Sequence, residues 1–321
     1  MDETEAPPHA GKRLTRADVL RLIEEHGGPE GLDLRRADLR EADLSKLDLH
    51  RAVLWRANLE GADLQGANLR RANFQGAVLR DANLEAASLR DANLRGALLV
   101  GAKLQEAHLH VADLQGAQLW WANLQGAYLW LANLRRAWLA GANLRDANLE
   151  GVNWGNYILG EEIAGDFGGA ASVYWTLKQR HTEAGMYDIA GEFHYREWEA
   201  QRKLAAKGDP ALGERRRLPY ALALNALRFL NGYGERPERV IGWVVAVILG
   251  FALGHWLAGT VERGFLEALY YSAVSFTALG YGGWAPQPQG WAGRFLGVGE
   301  SLLGVFMMAL FLVTFTRKMT R

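Results

Sequence analysis

A large apolar residue recurs at every fifth position from Leu34 to Trp154, over 25 successive positions that hold leucine except for Phe74 and Trp154. In an α-helix this spacing would rotate the side chains by about 140° per step around all sides, and in a flat strand they would alternate faces. Two positions before these residues, 22 of the 24 slots from 37 to 152 hold alanine, the exceptions being Leu47 and Val152. Because a short extended segment points residues i and i−2 to one face, leucine and alanine face inward together and the chain turns after every five residues.

Four such units make a coil of twenty residues, and strand-like spacing of about 4.8 Å stacks about six coils to a height of about 30 Å. The repeated unit, Ala-(Asp/Asn)-Leu-x-x across residues 32–155, resembles that of the pentapeptide-repeat proteins. The resemblance implies a right-handed quadrilateral β-helix.

Two long apolar segments follow much later in the chain. Val240–Ala258 supplies 19 almost wholly apolar residues and Phe295–Thr316 supplies 22, and both lengths suit a bilayer crossing of about 20 residues. Arg236 and Arg239 precede the first segment, and three basic residues follow the second. The positive-inside bias therefore predicts that both chain ends lie in the cytoplasm and that the connection between the spans enters the membrane from outside.

That connection contains the sequence YYSAVSFTALGYGG, from Tyr270 to Gly283. Residues Phe265–Thr277 predict a short helix, and the glycines after it allow a tight loop whose backbone carbonyls turn inward to replace the water around a cation. Irregular backbone at membrane depth is tolerated only where it is buried or lines a cavity. The pattern favours an ion-conducting pore loop, and the other interpretation is a plain helical hairpin anchor.

Residues 239–321 resemble the two-transmembrane-helix potassium channel superfamily. The resemblance implies a homotetramer with potassium or sodium ions, and no other cofactor, in a selectivity filter formed by Ala278, Leu279, Gly280, Tyr281 and Gly282. Two departures leave the choice between potassium and sodium open. Ala278 stands where the family has threonine, and Gly283 stands where it has aspartate.

The second span carries the other residues that the resemblance assigns to a pore. Val305, Met308 and Leu312 share one helical face and, by resemblance to the inner helix of the family, line the cavity below the filter. Gly304 is then the bending point of that helix.

Glu300 is the only ionisable residue well inside the second span, where a carboxylate among acyl chains would cost about 3 kcal/mol or more. It lies about 140° around the helix from Val305, so we expect it to face the short helix. There it would support the filter by accepting hydrogen bonds from Ser272, Ser275 or Thr277. The alternative is a protonated glutamic acid that only packs between helices.

The outward positions of the later coils predict a further surface, because residues twenty apart should lie above one another. We call this surface the aromatic patch, and it comprises Leu98, Val100, Trp120, Trp121, Trp130 and Trp138. Clustered exposed aromatic residues usually mark a contact. The patch is therefore either a subunit interface or a face covered by the chain's own helices.

The remaining segments are helical by their patterns. Thr15 and Asp18 predict a capped helix that ends at Gly27, and Ala170–Ala184 with Tyr187–Ala206 predicts a hairpin resembling a single tetratricopeptide unit, which must dock on something. Arg215 to Arg217 precede an apolar stretch, residues 218–230, that is shorter than a span and predicts an interfacial helix. The sequence thus predicts a tail and capping helix at 1–30, the repeats at 31–155, the cytoplasmic hairpin at 156–209, a juxtamembrane connector at 210–238 and the pore domain at 239–321.

Charge and composition exclude several function classes. The chain has no net charge and no cysteine, so it lacks disulfides and thiolate metal sites. Residues 31–155 carry 15 basic and 14 acidic side chains, which argues against DNA mimicry and nucleic-acid binding. For His108 and His110 a solvated pair is favoured over a metal site, and Glu199 with Lys203 predicts ordinary surface pairing.

With no catalytic constellation in the soluble part, the chain is not expected to be an enzyme. The sequence favours a multi-pass cation channel of the inner or plasma membrane, bacterial by its architecture, with the lipid bilayer, monovalent cations and copies of itself as partners. The alternative is a membrane-tethered interaction scaffold whose pore has degenerated at Ala278 and Gly283.

Overall fold

The computed structural model describes residues 10–208, 214–261, 264–277 and 290–319. The chain divides into two compact units, Met1–Gln201 and Arg202–Arg321. The first contains the repeat and most of the helical hairpin, and the second contains the apolar helices. The five segment boundaries predicted from the sequence stay predictions.

The first helix, α1, spans Arg16–His26 and begins with a reciprocal capping box. The Asp18 carboxylate accepts from the Thr15 backbone N–H at 2.9 Å, and the Asp18 N–H donates to the Thr15 hydroxyl at 3.4 Å. Gly27 ends the helix with a left-handed φ of 81°, which glycine adopts at little cost. Both predicted ends of this helix are confirmed.

The repeat folds into coils that are joined by isolated parallel bridges between residues twenty apart. In one example, the Leu64 N–H donates to the Asn83 carbonyl at 2.7 Å and the Asn83 N–H donates to the Ala62 carbonyl at 2.9 Å. The tight turn follows at once, since the Ala67 N–H donates to the Leu64 carbonyl at 3.0 Å. Each side contributes a single bridge residue, so no extended strand occurs among the described residues.

The leucines and alanines of the repeat form the core, as the five-residue period predicts. Leu64 and Ala62, for example, are both completely buried. The second residue after each such leucine turns the corner with positive φ, and at Glu41 and Trp121 the angles are 56° and 55°. A corner residue of this kind points its side chain away from the core.

Many core leucines follow an Asp or Asn, and these residues have a function that leucine spacing does not reveal. Asn83 donates its side-chain amide to Asp63 one coil earlier at 3.0 Å, and Asp63 also accepts the N–H of Gln65 at 3.0 Å. Similar side-chain bonds join Asn133 to Asp113 and Asn143 to Asn123. These side chains therefore accept the N–H of the residue that follows the leucine and link successive coils.

The last coil ends beneath a short helix, α2, at Gly160–Ile163. The Glu161 carboxylate accepts the N–H groups of Leu139 and Ala140 at 2.5 and 2.7 Å, bonds that another coil would otherwise supply. An open edge of this kind would invite pairing with another chain. Glu161 thus closes the coil stack.

A helical hairpin follows, formed by α3 at Phe167–Glu183 and α4 at Tyr187–Lys207. It packs on the end of the repeat, where the Phe193 ring lies 5.2 Å from Trp154 and 5.2 Å from His181. The expectation that the hairpin docks on another element is confirmed. Helix α3 begins before its predicted start at Ala170, because Asp166 caps it by accepting the Gly169 N–H at 2.9 Å.

The second unit contains α5 at Glu214–Asn231, a 3₁₀ turn at Gly232–Gly234, α6 at Pro237–Leu257, α7 at Phe265–Thr277 and α8 at Gly290–Met319. Helices α6, α7 and α8 all pack against one another. Val240, Phe276 and Met307, one from each helix, form their buried core. Helices α6 and α8 are long and apolar enough to cross a membrane.

Candidate functional site

The proposed selectivity filter follows directly after α7. Ala278, Leu279, Gly280, Tyr281 and Gly282 lie outside the described residues, as do Gly283 and the rest of the connection to residue 289. The described site therefore consists of α7 and the parts of α6 and α8 that hold it.

Glu300 is completely buried and lies between α7 and α6. Its Oε1 atom makes a hydrogen bond with the Ser272 hydroxyl, and its Oε2 atom lies 3.7 Å from Nε2 of His255. Ser272 also donates to the carbonyl of Ile248 at 2.8 Å. One carboxyl group thus contacts side chains from both neighbouring helices.

The other two hydroxyl residues proposed to support the filter have different partners. The Thr277 hydroxyl donates within its own helix to the carbonyls of Ala273 and Val274, each at 3.1 Å. The carbonyl of Ser275 accepts from the Ser301 hydroxyl at 3.0 Å. Of the three, Ser272 is the one that the structure brings to Glu300, and the filter-supporting function of Glu300 and Thr277 stays a prediction.

At Gly304, α8 lies very close to the backbone of α7. A Cβ atom at this position would overlap the carbonyl group of Phe276, in the last turn of α7 before the filter. Helix α8 continues through Gly304 without a break. Close packing against α7 therefore explains why residue 304 is a glycine, and its function as a hinge stays a prediction.

The proposed pore-lining residues are exposed on the single chain, with Val305 at 60%, Met308 at 45% and Leu312 at 57%. Leu302, on a different face of α8, is 70% exposed. Because a pore and the lipid would both contact exposed apolar side chains, exposure does not distinguish these two surroundings. The assignment of Val305, Met308 and Leu312 to a pore stays a prediction.

The aromatic patch divides into a covered part and an open part. Trp138 packs edge-on against Trp120 with ring centroids 5.0 Å apart, and α2 lies so close that a Cβ atom at Gly160 would overlap the Trp138 ring. Leu98 and Val100 are partly buried. Trp121, by contrast, is 68% exposed and Trp130 is 40% exposed.

Sequence reasoning missed the buried polar contacts of the helical hairpin. Glu199 is buried, so the expectation that it lies on the surface is wrong, and its pairing with Lys203 stays a prediction. Glu197 lies 2.8 Å from the Lys178 amine and 3.6 Å from Nδ1 of His194. Burial raises the pKa of Glu197, but its hydrogen bonds to His194 and Lys178 outweigh burial and leave it below its usual value.

His255 is the functional candidate that sequence reasoning overlooked. It is the only ionisable residue in the apolar stretch from Val240 to Ala258, which is the same signal that singled out Glu300. Its burial and its position opposite Glu300 come from the packing of α6 on α8. Serines such as Ser301, in contrast, gave no signal at the sequence level.

No group of three or more potential metal-ligating side chains occurs among the residues that the structure describes. His108 and His110 stack against Tyr128, with ring centroids 4.9 and 5.7 Å from it. Burial, with the neighbouring charge of His108, lowers the pKa of His110. The two imidazoles therefore pack against the Tyr128 ring on the surface of the repeat.

Two family models match the chain. The model described as pentapeptide repeats matches with eight copies, at residues 30–56, 56–91, 77–110, 92–130 and 112–151. The model described as ion channel matches residues 240–321. No curated protein matches the chain.

Solved structures of pentapeptide repeat proteins are similar to the repeat region. One from the Arabidopsis thaliana thylakoid lumen is 27% identical, with 35% of this chain and 65% of that chain covered and a TM-score of 0.28. One from Nostoc is 40% identical, with 33% and 79% covered and a TM-score of 0.22. One from a Cyanothece cyanobacterium is 37% identical, with 32% and 58% covered and a TM-score of 0.19. The match thus spans less than two thirds of the first of these chains, and none of these scores supports an argument about function.

The two apolar helices and the ion channel match indicate a membrane protein that transports ions. The regular coils of the first unit correspond to the repeat match. This chain therefore joins pentapeptide repeats, in its N-terminal region, to an ion channel domain at residues 240–321.

Proposed function

We propose that this protein is a homotetrameric cation channel that prefers potassium but discriminates weakly against sodium. The observation that carries the proposal is the packing of α7, a helix of 13 residues, between two helices of membrane length, directly before the sequence Ala278–Gly282. One chain supplies one such loop, and four loops arranged by cyclic symmetry would surround an ion with backbone carbonyls.

Weak selectivity follows from the residue at the inner end of the filter. Ala278 has no hydroxyl group to complete an inner ion site, whereas the carbonyls of Leu279, Gly280 and Tyr281 would form the remaining sites. Ala278→Thr should therefore raise the preference for potassium. Reversal potentials in mixed potassium and sodium measure this, and full discrimination in the unaltered protein would contradict the proposal.

The orientation and the repeat domain complete the proposal. The repeat coils form a right-handed quadrilateral β-helix that lies in the cytoplasm. Basic residues precede the first span and follow the second, so both chain ends are cytoplasmic. The protein resides in the inner membrane as a multi-pass protein. The repeat domain acts in assembly or regulation, with the exposed Trp121 and Trp130 as its contact residues, and the balanced charge of the repeat does not favour nucleic acid as a partner.

Flux from potassium-loaded liposomes tests conduction directly. The unaltered protein should release potassium, and Gly280→Ala should abolish release because it adds a side chain where the filter backbone must turn. Gly242→Ala is the matched control, since a Cβ atom at Gly242 meets nothing within 4 Å. Flux equal to that of empty liposomes, or equal flux from Gly280→Ala, would overturn the channel proposal.

A second candidate function is a membrane-tethered interaction scaffold. Ala278 and Gly283 favour it, because both replace filter residues of the channel family. A scaffold would assemble and bind through its repeat but release no potassium. Native mass measurement in mild detergent, together with the flux assay, distinguishes the two functions: a tetramer without flux supports the scaffold.

A further inference from the structure

The second unit buries a histidine and a glutamate against each other inside the membrane-spanning helices. His255 and Glu300 are both 0% exposed, and they are the only buried imidazole and carboxyl groups in the described part of residues 202–321. Nε2 of His255 and Oε2 of Glu300 lie 3.7 Å apart, and neither has a hydrogen-bond partner among the described residues. The two atoms therefore face each other across the contact between α6 and α8.

The hydrogen bonds around His255 determine which of its nitrogens can titrate. The Thr260 hydroxyl donates to the backbone carbonyl of His255 at 3.1 Å, so its oxygen accepts from Nδ1 of the imidazole at 2.8 Å. Nδ1 consequently carries a hydrogen in every state. Nε2, the nitrogen that faces Glu300, is the one that has no hydrogen in the neutral imidazole.

The Ser272 hydroxyl connects this pair to α7. It has one hydrogen and two acceptors, the carbonyl of Ile248 and the carboxyl group of Glu300. While the pair holds one proton, whether on Nε2 of His255 or on Oε2 of Glu300, the hydroxyl donates to Oε1 of Glu300 and ties α7 to α8.

An isolated charge at this depth would be costly, and an uncompensated member of a buried pair is strongly destabilising. One proton shared between Nε2 and Oε2 leaves the pair neutral, whether it is an ion pair or an acid with a neutral imidazole. A second proton would leave a buried imidazolium with no counterion. The pair is thus stable with one proton and unstable with two.

We propose that His255 is a positioning residue that acts through Glu300. The pair holds one proton and keeps α7 in place through Ser272, and a second proton added in acid leaves a buried imidazolium without a counterion, which loosens the packing of that helix. Tyr271, from α7, is the other titratable group at the pair, with its ring 4.8 Å from the imidazole. Glu267 lies one turn earlier in α7, and Arg294 of α8 is exposed. The expected consequence is a channel whose conduction falls in acid.

The inference rests on the proposed channel function, and two measurements separate the two proposals. The first measurement is thermal unfolding of the full chain in detergent for His255→Leu, Glu300→Leu and the double variant. Each single change strands the partner group and should lower Tm by at least about 5 °C, whereas the double variant should unfold closer to the unaltered protein than either single variant. Additive losses would overturn the shared-proton pair whether or not the protein conducts.

The second measurement is potassium flux from liposomes with the same pH on both sides. For the unaltered protein, the flux at about pH 5 should be lower than that at about pH 8 by at least about threefold. His255→Gln keeps a polar partner for Glu300 but removes the second proton site, so its flux should change less than half as much. Thr314→Val is the control, because it changes a buried polar residue of α8 with other partners and should retain the full acid response.

The outcomes remain distinguishable. No flux from the unaltered protein would refute the channel function, and the unfolding comparison would still test whether His255 and Glu300 share a proton. Flux that is independent of pH in the unaltered protein, or an equal acid response in His255→Gln, would refute the positioning function of His255 while leaving the channel function intact.

Discussion

The two units of this protein are stabilised in opposite ways. In the repeat unit, the same inward leucine and alanine recur in every coil, and most of them are completely buried. In the channel unit, the buried side chains are few and include unique polar residues such as His255, Ser272 and Glu300. Repetition distributes stability over many equivalent positions, whereas the ion channel domain depends on individual contacts that occur once.

The largest expected effect concerns the repeat core and tests whether the two units are independent. Leu94 is completely buried between Phe74 and Leu114, which occupy the same position one coil before and one coil after it. Leu94→Ala should cost about 3 kcal/mol of unfolding free energy through lost burial and a residual cavity. Denaturant unfolding measures this loss of stability, and potassium flux measures whether the channel unit still functions in the variant.

Leu98→Ala is the matched control, because Leu98 points outward and is only partly buried. It should cost less than about 1 kcal/mol. If Leu94→Ala left stability unchanged, the leucine core would not stabilise the repeat as its burial indicates. If it abolished flux at a temperature where the channel unit stays folded, the two units would be coupled.

The next prediction concerns Gly304→Ala in the channel unit. Its cost in unfolding free energy should be smaller than that of Leu94→Ala, but its effect on potassium flux should be larger. Gly304→Ala places a methyl group against the Phe276 carbonyl, so α7 and α8 must separate at a cost of about 2 kcal/mol. Because Phe276 is two residues before the proposed filter, we expect potassium flux to fall by about tenfold or more. Gly299→Ala lies on the same helix, where a Cβ atom meets nothing within 4 Å, and its flux should match that of the unaltered protein. Equal flux from both variants would contradict the close packing of α7 on α8.

The smallest effect concerns Glu161, the residue at which the repetition ends. Glu161→Ala removes the acceptor of two N–H groups and should cost about 1 kcal/mol, whereas Glu161→Gln keeps an acceptor oxygen and should preserve stability at neutral pH. Burial raises the pKa of Glu161, so the folded state binds its proton more tightly than the unfolded state does. The part of the stability that comes from this proton is therefore fully present below the unfolded pKa of about 4.3 and is lost as the pH rises through the folded pKa.

Unfolding midpoints across the acid range test this sign. In the unaltered protein, the part of the stability that depends on Glu161 should decline with rising pH, and Glu161→Gln should abolish that decline. Glu150→Ala, at an exposed acidic residue of the last coil, is the control and should behave as the unaltered protein does. A decline that persists in Glu161→Gln would refute the assignment.

In the repeat unit, sequence patterns were sufficient to predict those features that depend on residues close together in the chain. A period of five requires only neighbours along the chain, and it identified the inward positions from Leu34 to Trp154 and the alignment of residues twenty apart. The capping box of α1 was likewise visible in Thr15 and Asp18, because a cap is formed by residues three apart. The closure of the stack was not visible, since Glu161 bonds to residues more than twenty positions earlier.

In the channel unit, the sequence by itself determined the two spans and the bounds of α7, because membrane length and apolar runs are properties of continuous segments. It also singled out Glu300 as a costly carboxyl group that needs a partner. Only the tertiary structure decided that the partner is His255, 45 residues earlier in the chain, and that Gly304 is required by the carbonyl of Phe276. Such pairs depend on the relative rotation of three packed helices, and no local pattern records that rotation.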